Sequence, residues 1–177
     1  QQLALDSAQT SALQAHLDAD VHRVHTEGWT YPYHYYRDNC STRLRDALDE
    51  VLGGAIARQA QAAITDRTLR DHTMRSTARD PLLSAGLDLI LGPSVDRPVT
   101  RWEEMFLPAL LAEHLEEIMV TDGIGASVPL VRAAWTEVAS DRWPVPDTPP
   151  SRVPRDRQAA RARRHARRLS VARLAGQ

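Results

Sequence analysis

The sequence is poor in several residue types that define common classes of protein. It has one cysteine and no lysine among its 177 residues, and aromatic residues make up only 5% of it. A single cysteine excludes an intrachain disulfide and a zinc site built from four thiolates of one chain. No apolar run approaches the roughly 18 residues that a membrane-spanning helix needs. The first residues also lack the charged and then apolar pattern of a signal peptide.

Charge is distributed unevenly behind a net charge of −1. Residues 152–177 carry nine arginines against one aspartate, a charge of +8, which leaves −9 for residues 1–151. A cluster of prolines from residue 144 onward predicts a stiff linker. We therefore divide the chain into a helical domain over residues 1–143, a proline-rich linker over 144–154 and an arginine-rich tail over 155–177, which is predicted to be disordered.

The arginine-rich tail has three candidate roles. It is a solvated disordered segment, a contact with an anionic membrane surface, or a nucleic-acid contact, because arginine binds the phosphates of both lipids and nucleic acids. Nucleic acid is disfavoured, since the tail has no aromatic residues to stack on bases.

Apolar periodicity and capping residues predict a chain built mainly of α-helices. Asp6 and Gln9 form a capping box that opens the first helix, with Leu13, Leu17 and Val21 on one stripe. Further helices are predicted from Asn39 to Gly53, over residues 55–64, 66–78 (capped by Asp66) and 81–91, and from Thr100 onward with a restart at Pro108. Two stretches are less regular: residues 22–36 favour a short strand or extended segment, and residues 128–139 fit a helix or a strand.

The stretch YPYHYYRDNCSTRLRD, residues 31–46, holds every tyrosine and the one cysteine of the chain. Asn39 is a favourable N-cap, which would place Cys40 in the first turn of a helix. The helix dipole and the free N–H groups there favour a thiolate nucleophile and can form an oxyanion hole. Alternatively, Cys40 is a packing residue at the head of an apolar stripe with Leu44 and Leu48.

A cysteine nucleophile also needs a base. The nearest histidines in the sequence are His22, His25 and His34, and we take His34 as the candidate catalytic residue. His22 and His25 have a spacing used by metal ligands, but no third ligand is evident, so we predict no metal site and no cofactor. The other histidines are expected on helices as surface or hydrogen-bonded residues: His16, His72, His114 and His165.

The tyrosines beside the thiol are predicted to form a substrate cleft. Tyr33, Tyr35 and Tyr36 would wall a partly apolar approach, with hydroxyls available to orient a ligand. Arg37 and Arg43 would add positive charge that binds substrate. Alternatively, the tyrosines only cover the helix that follows them.

The longer stretch YPYHYYRDNCSTRLRDALD, residues 31–49, resembles the signature of the Lnb N-terminal periplasmic domain family, a bacterial group of unknown function. In that family an aromatic-rich approach leads into Arg-Asp-Asn-Cys, a small hydroxyl residue and a helix that carries Arg-Asp. A second block, GLDLILGPSVDRPVTRWEEMFLP over residues 86–108, is similar to a later block of the family. The resemblance covers roughly residues 1–135.

The family's Asn-Cys pair is similar to that of permuted papain-like enzymes, such as the NlpC-like peptidases and lecithin–retinol acyltransferase. In those folds the histidine precedes the cysteine, and in the Lnb family a Gly-His block lies well upstream. This sequence has no Gly-His pair, and it begins with Gln1 rather than methionine. The resemblance therefore implies a mainly α chain with few or no strands, namely the helical C-terminal portion of a papain-like α+β domain. Its partner would be the upstream half of its own full-length protein.

The resemblance also implies a function and a location. It implies a periplasmic or cell-envelope domain that hydrolyses or transfers an acyl or amide group, with Cys40 as nucleophile, Asn39 as the cap of its helix and a histidine as base. The alternative is a non-catalytic helical interaction or maturation module for another envelope protein.

Overall fold

The structure is a computed structural model that describes residues 1–139, 141 and 144–150. Its helices are α1 (Ser7–Glu27), α2 (Cys40–Val51), α3 (Ala55–Ala60), α4 (Leu69–Ser76), α5 (Pro81–Ile90), α6 (Arg101–Glu104) and α7 (Pro108–Glu116), with a 3-10 helix over Pro93–Val95. Its strands are β1 (Gln2–Leu3), β2 (Ile64–Thr68), β3 (Pro98–Thr100), β4 (Met119–Thr121), β5 (Ser127–Pro129) and β6 (Val131–Ala133).

The strands form three small antiparallel sheets within the described residues. β1 pairs with β6, β2 with β3, and β4 with β5. The first of these pairs joins strands more than 120 residues apart in the sequence, and the last is a hairpin. The chain is therefore a mixture of α and β structure, with helices predominant.

The prediction of a mainly α portion of a papain-like domain, with few or no strands, is wrong. The strands hold two to five residues each, too few to show a two-residue alternation in the sequence. β2 is the clearest example, because the helix predicted over 66–78 begins only at Leu69. Its N-cap is Thr68, which accepts a hydrogen bond from the backbone N–H of Asp71. The residues before Thr68 are free to extend and pair with β3.

Apart from Asp66, which lies in β2 and caps no helix, the predicted helix starts at capping residues are confirmed. Asp6 and Gln9 form the expected capping box of α1. Asn39 caps α2, Thr100 caps α6 with Glu103, and prolines occupy the first turns of α5 and α7. A polar cap satisfies backbone N–H groups that the helix itself leaves unpaired, so its effect is local and readable from sequence.

The two irregular stretches have different outcomes. For residues 22–36 the alternatives were a short strand or an extended segment, and no strand forms there. α1 continues to Glu27 and ends at Gly28, whose φ of 61° favours glycine. The residues after it form a loop with one isolated bridge between His34 and Asp38. In the later stretch the strand alternative is confirmed, since β5 and β6 lie there.

The core lies between α2, α3, α7 and the short strands. α1 packs on α2 without a fully buried residue, and Leu17 and Val21 of its apolar stripe remain exposed. The central buried side chains are aliphatic apart from one methionine: Leu48, Leu52, Ile56, Met105, Leu111, Leu115, Ile118 and Leu130. This core fixes the position of α2, which begins at the candidate nucleophile.

The predicted linker and tail are described only in part. Residues 144–150 contain no helix or strand, and the carbonyl of Pro146 accepts a hydrogen bond of 2.6 Å from Nε of Arg75. Residues 151–154 of the predicted linker and the whole predicted tail lie outside the described residues. No described helix combines the length and the apolar composition needed to cross a bilayer.

Candidate functional site

Asn39 uses every hydrogen bond that its side chain can make. Its Oδ1 accepts from the backbone N–H groups of Ser41 and Thr42, both at 2.9 Å. Its Nδ2 donates to the carbonyls of Tyr35 at 2.8 Å and Phe106 at 3.0 Å. Only an amide side chain both accepts and donates in this way. The buried cap therefore ties the start of α2 to two other segments of the chain.

The two sequence blocks that carry the family resemblance contact each other at this cap. Phe106 and Met105 follow the short helix α6, and their carbonyls face the start of α2. In addition to the bond from Asn39, the hydroxyl of Ser41 donates to the carbonyl of Met105 at 2.8 Å. Arg45 stacks over the ring of Trp102 at 3.7 Å and donates to its carbonyl. Many residues of the two blocks that resemble the Lnb family therefore hold α2 in place.

Cys40 is exposed at the first position of α2. The alternative of a buried packing cysteine is therefore disfavoured. Among the first three N–H groups of the helix, those of Ser41 and Thr42 are taken by the cap. The N–H of Cys40 has no partner among the described residues. It is the one amide of that turn left free to donate to an oxyanion.

No described side chain forms a hydrogen bond with Sγ of Cys40. His34, the predicted base, lies in the preceding turn, where its Nδ1 accepts from the backbone N–H groups of Tyr36 and Arg37 at 3.2 Å. A ring that accepts at Nδ1 carries its proton on Nε2. In this turn the imidazole therefore offers a proton rather than a site to receive one.

The predicted substrate-binding tyrosines line a groove of about 430 Å³. One wall is formed by Tyr33, His34, Tyr35, Tyr36 and Arg37. The other wall comes from α4, the end of α5 and the residues that follow it: Leu69, Ile90, Leu91, Gly92, Ser94 and Val95. Neither Cys40 nor Arg43 lies among these residues. The groove thus adjoins the segment that leads to the thiol but does not contain it.

The tyrosines also cover the core. Tyr35 and Tyr36 meet the ring of Phe106 edge-on, at centroid distances of 5.5 and 5.2 Å. The hydroxyl of Tyr36 hydrogen-bonds to that of Thr73 at 2.6 Å. Burial raises the pKa of Tyr35, and its two neighbouring tyrosines raise it further. Its hydroxyl therefore keeps its proton at neutral pH and remains able to donate a hydrogen bond.

The two predicted substrate-binding arginines differ in availability. Arg43 makes a bidentate pair with Asp38 at 2.6 and 3.0 Å, and this hydrogen bonding raises its pKa. Its guanidinium also lies over the ring of Tyr31, 4.4 Å from the centroid. Arg37 lines the groove, and its guanidinium has no partner among the described residues. Arg37 is therefore the cation that a bound anion would meet.

A buried cluster of Glu104, His72 and His114 lies beneath this region. The two carboxylate oxygens of Glu104 each lie 2.9 Å from Nε2 of one histidine. The hydroxyl of Thr65 donates to the first oxygen at 3.1 Å, and the ring of His72 meets Phe106 edge-on. Burial alone raises the pKa of Glu104, but the bonds from His114 and His72 outweigh it and lower the pKa to about 2.

This cluster should make the protein sensitive to acid in a defined range. The folded pKa of about 2 lies below the ordinary value of 4.5, so its stabilisation is present above pH 4.5 and is lost as pH falls toward 2. The full shift is worth about 3 kcal/mol of unfolding free energy. Urea unfolding across this range should show that the stability difference between wild type and Glu104→Gln shrinks as pH falls. A difference that stays constant would contradict the assignment.

The sequence interpretation missed this cluster. Of the two alternatives for His72 and His114, surface or hydrogen-bonded, the second is confirmed, but the sequence did not predict that both are buried around one carboxylate. Glu103 is half-buried and completes the capping box with Thr100, while its neighbour Glu104 points inward because successive helix residues face about 100° apart. The described residues contain no group of histidine, cysteine and acidic residues placed to hold a metal ion. The cluster's geometry is that of a structural network.

Comparison with known proteins gives no assignment: no family model, no curated protein and no solved structure matches the chain.

Proposed function

We propose that the chain is a cysteine-dependent hydrolase or acyl or amide transferase in which Cys40 is the nucleophile. The observation that supports this best is the exposed thiol at the first position of α2. The positive end of the helix dipole favours a thiolate there. The neighbouring groove offers aromatic walls and the free guanidinium of Arg37 to a substrate.

The reaction would proceed through a thioester. The Cys40 thiolate attacks the acyl carbon, the N–H of the same residue donates to the oxyanion, and the alcohol, thiol or amine leaves with a proton from an acid group. Water or a second acceptor then attacks the thioester and releases the thiol. His34 can serve as base only if its Nδ1 leaves the turn. The resemblance to the Lnb family favours a histidine from an upstream half of the protein, and a periplasmic or cell-envelope location.

Thiol reactivity tests the proposal with a matched control. Leu44 is also exposed on α2 but lies in its second turn, so the Cys40→Ser/Leu44→Cys variant presents a thiol without the helix start. At mildly acidic pH, iodoacetamide should modify wild type about tenfold faster than this variant. Incubation with p-nitrophenyl acetate should acetylate Cys40, detected by mass spectrometry of the peptide. Equal rates and no acetylation would overturn the proposal.

The second candidate is a non-catalytic interaction module, and a separate observation favours it. Helix α5 exposes most of its leucines, which is typical of a surface that contacts something else. On this reading Cys40 has no chemical role, so Cys40→Ser changes neither folding nor binding, and the two thiols above react alike.

A further inference from the structure

Helix α5 faces its apolar side outward. Leu82, Leu89 and Ile90 are 86%, 87% and 79% exposed, and Leu83 is half exposed. These positions follow the i, i+1, i+7, i+8 spacing of one helix face. The opposite side carries Ser84, which is buried. A surface helix of a globular protein normally buries its leucines and exposes its polar residues. The outward position of these leucines therefore needs an explanation.

Arg70 fixes the orientation of α5. This buried arginine on α4 donates from Nη1 to the side chain and the carbonyl of Asp88, both at 2.9 Å. It also pairs with Asp96 beyond the helix and donates to the carbonyls of Leu91 and Gly92. Rolling α5 to bury its leucines would break the bonds to Asp88 and leave the buried guanidinium with one carboxylate, that of Asp96, instead of two, which is destabilising. The apolar face is therefore held outward.

The chain that leads to the basic segment is attached to α4, the helix beside α5. α4 packs against α5, and Arg75 of α4 holds the carbonyl of Pro146. Arg152 follows only six residues later and begins the segment 152–177, with nine arginines and one aspartate. Stable membrane association generally needs two signals, such as inserted apolar side chains together with a polybasic segment. This chain carries both signals, and six residues span at most about 20 Å between the anchored Pro146 and Arg152.

We propose that α5 docks on an anionic lipid surface. Leu82, Leu83, Leu89 and Ile90 enter the boundary between headgroups and acyl chains, and the arginines of 152–177 bind the lipid phosphates. This inference is independent of any chemistry at Cys40.

Vesicle binding of the full chain tests the proposal. Wild type should sediment with phosphatidylcholine vesicles that contain about 30% phosphatidylglycerol, and less with pure phosphatidylcholine or at high salt. Leu82→Gln/Leu89→Gln should weaken binding to the anionic vesicles about tenfold or more. The matched control is Ile64→Gln/Ile124→Gln, which removes two exposed apolar side chains elsewhere. It should bind within about twofold of wild type.

A fluorophore on α5 gives a second readout that does not depend on affinity. In Cys40→Ser/Leu89→Cys, an environment-sensitive label at the introduced thiol should shift to the blue with anionic vesicles, whereas the same label in Cys40→Ser/Ile124→Cys should not. Three results would overturn the proposal: no sedimentation of wild type, equal binding by the α5 variant, or an unshifted label on α5. A wild-type dimer that the α5 substitutions convert to monomer, without vesicle binding, would instead identify a second copy as the occupant.

Discussion

Replacing Glu104 with alanine should lower the free energy of unfolding by about 3 to 5 kcal/mol, because it removes one partner of a buried network and leaves the rest in place. Two imidazoles, His72 and His114, would lose the acceptor 2.9 Å from their Nε2 atoms. Both rings are buried, so a water that entered the vacated space would be a neutral acceptor and would replace the carboxylate only in part. The change is measured by urea unfolding at neutral pH, followed by far-UV circular dichroism.

The surroundings of His114 increase the expected loss of stability. Its Nδ1 is buried and has no hydrogen-bond partner among the described residues. In the wild type only one nitrogen of this ring is satisfied, and Glu104→Ala would leave neither satisfied. Each unsatisfied buried group costs about 1 to 3 kcal/mol. His72 has a weaker second contact, with Nη1 of Arg75 at 3.5 Å from its Nδ1.

A control substitution shows whether the loss of stability is specific to Glu104 or follows from removing any glutamate. Glu113 lies on α7, one residue before His114; it is exposed and has no partner among the described residues. Glu113→Ala should change stability by no more than about 0.5 kcal/mol. Replacing the whole cluster, with Glu104→Met, His72→Leu and His114→Leu, should recover part of the loss, since well-packed apolar groups leave no charge unpaired. A cost below about 1 kcal/mol for Glu104→Ala would contradict the network.

The sequence predicted local features of the fold better than distant ones. Asp6, Asn39 and Thr100 each satisfy backbone groups within three residues, so the sequence around them is sufficient. The short strands are different, because β1 is a strand only through pairing with β6, more than 120 residues away. Their own residues carry too little pattern to identify them, which explains the wrong fold class.

The same distinction holds for the candidate site. The position of Cys40 at a helix start follows from Asn39 beside it, and that prediction is confirmed. The second wall of the groove beside Tyr35 comes from α4 and α5, which lie far from Tyr35 in the sequence. The sequence therefore could not predict that the groove lies apart from the thiol. The Glu104 cluster joins residues 32 and 10 positions apart, and neither spacing is a recognised pattern.

Replacing Asn39 with aspartate should cost about 3 kcal/mol or more, although the two residues are nearly equal as N-caps in general. The carboxylate would still accept from the N–H groups of Ser41 and Thr42. It would lose both donors, however, and place a charged oxygen against the carbonyls of Tyr35 and Phe106, which now receive bonds from Nδ2. A buried carboxylate oxygen that faces two carbonyl oxygens is unfavourable, because none of the three oxygens receives a hydrogen bond there.

The first helix provides the control for this prediction. Asp6 also caps α1 in a capping box, but it is exposed, and within the described residues its side chain makes no hydrogen bond beyond the cap. Asp6→Asn should therefore change the free energy of unfolding, measured with urea, by no more than about 0.5 kcal/mol. Asn39→Asp should lower it several-fold more. Asn39→Asp should also slow the alkylation of Cys40, since a negative charge at the helix start opposes a thiolate. If both aspartate–asparagine exchanges are equally mild, the two Nδ2 bonds contribute little, and Asn39 does no more than cap the helix that presents Cys40.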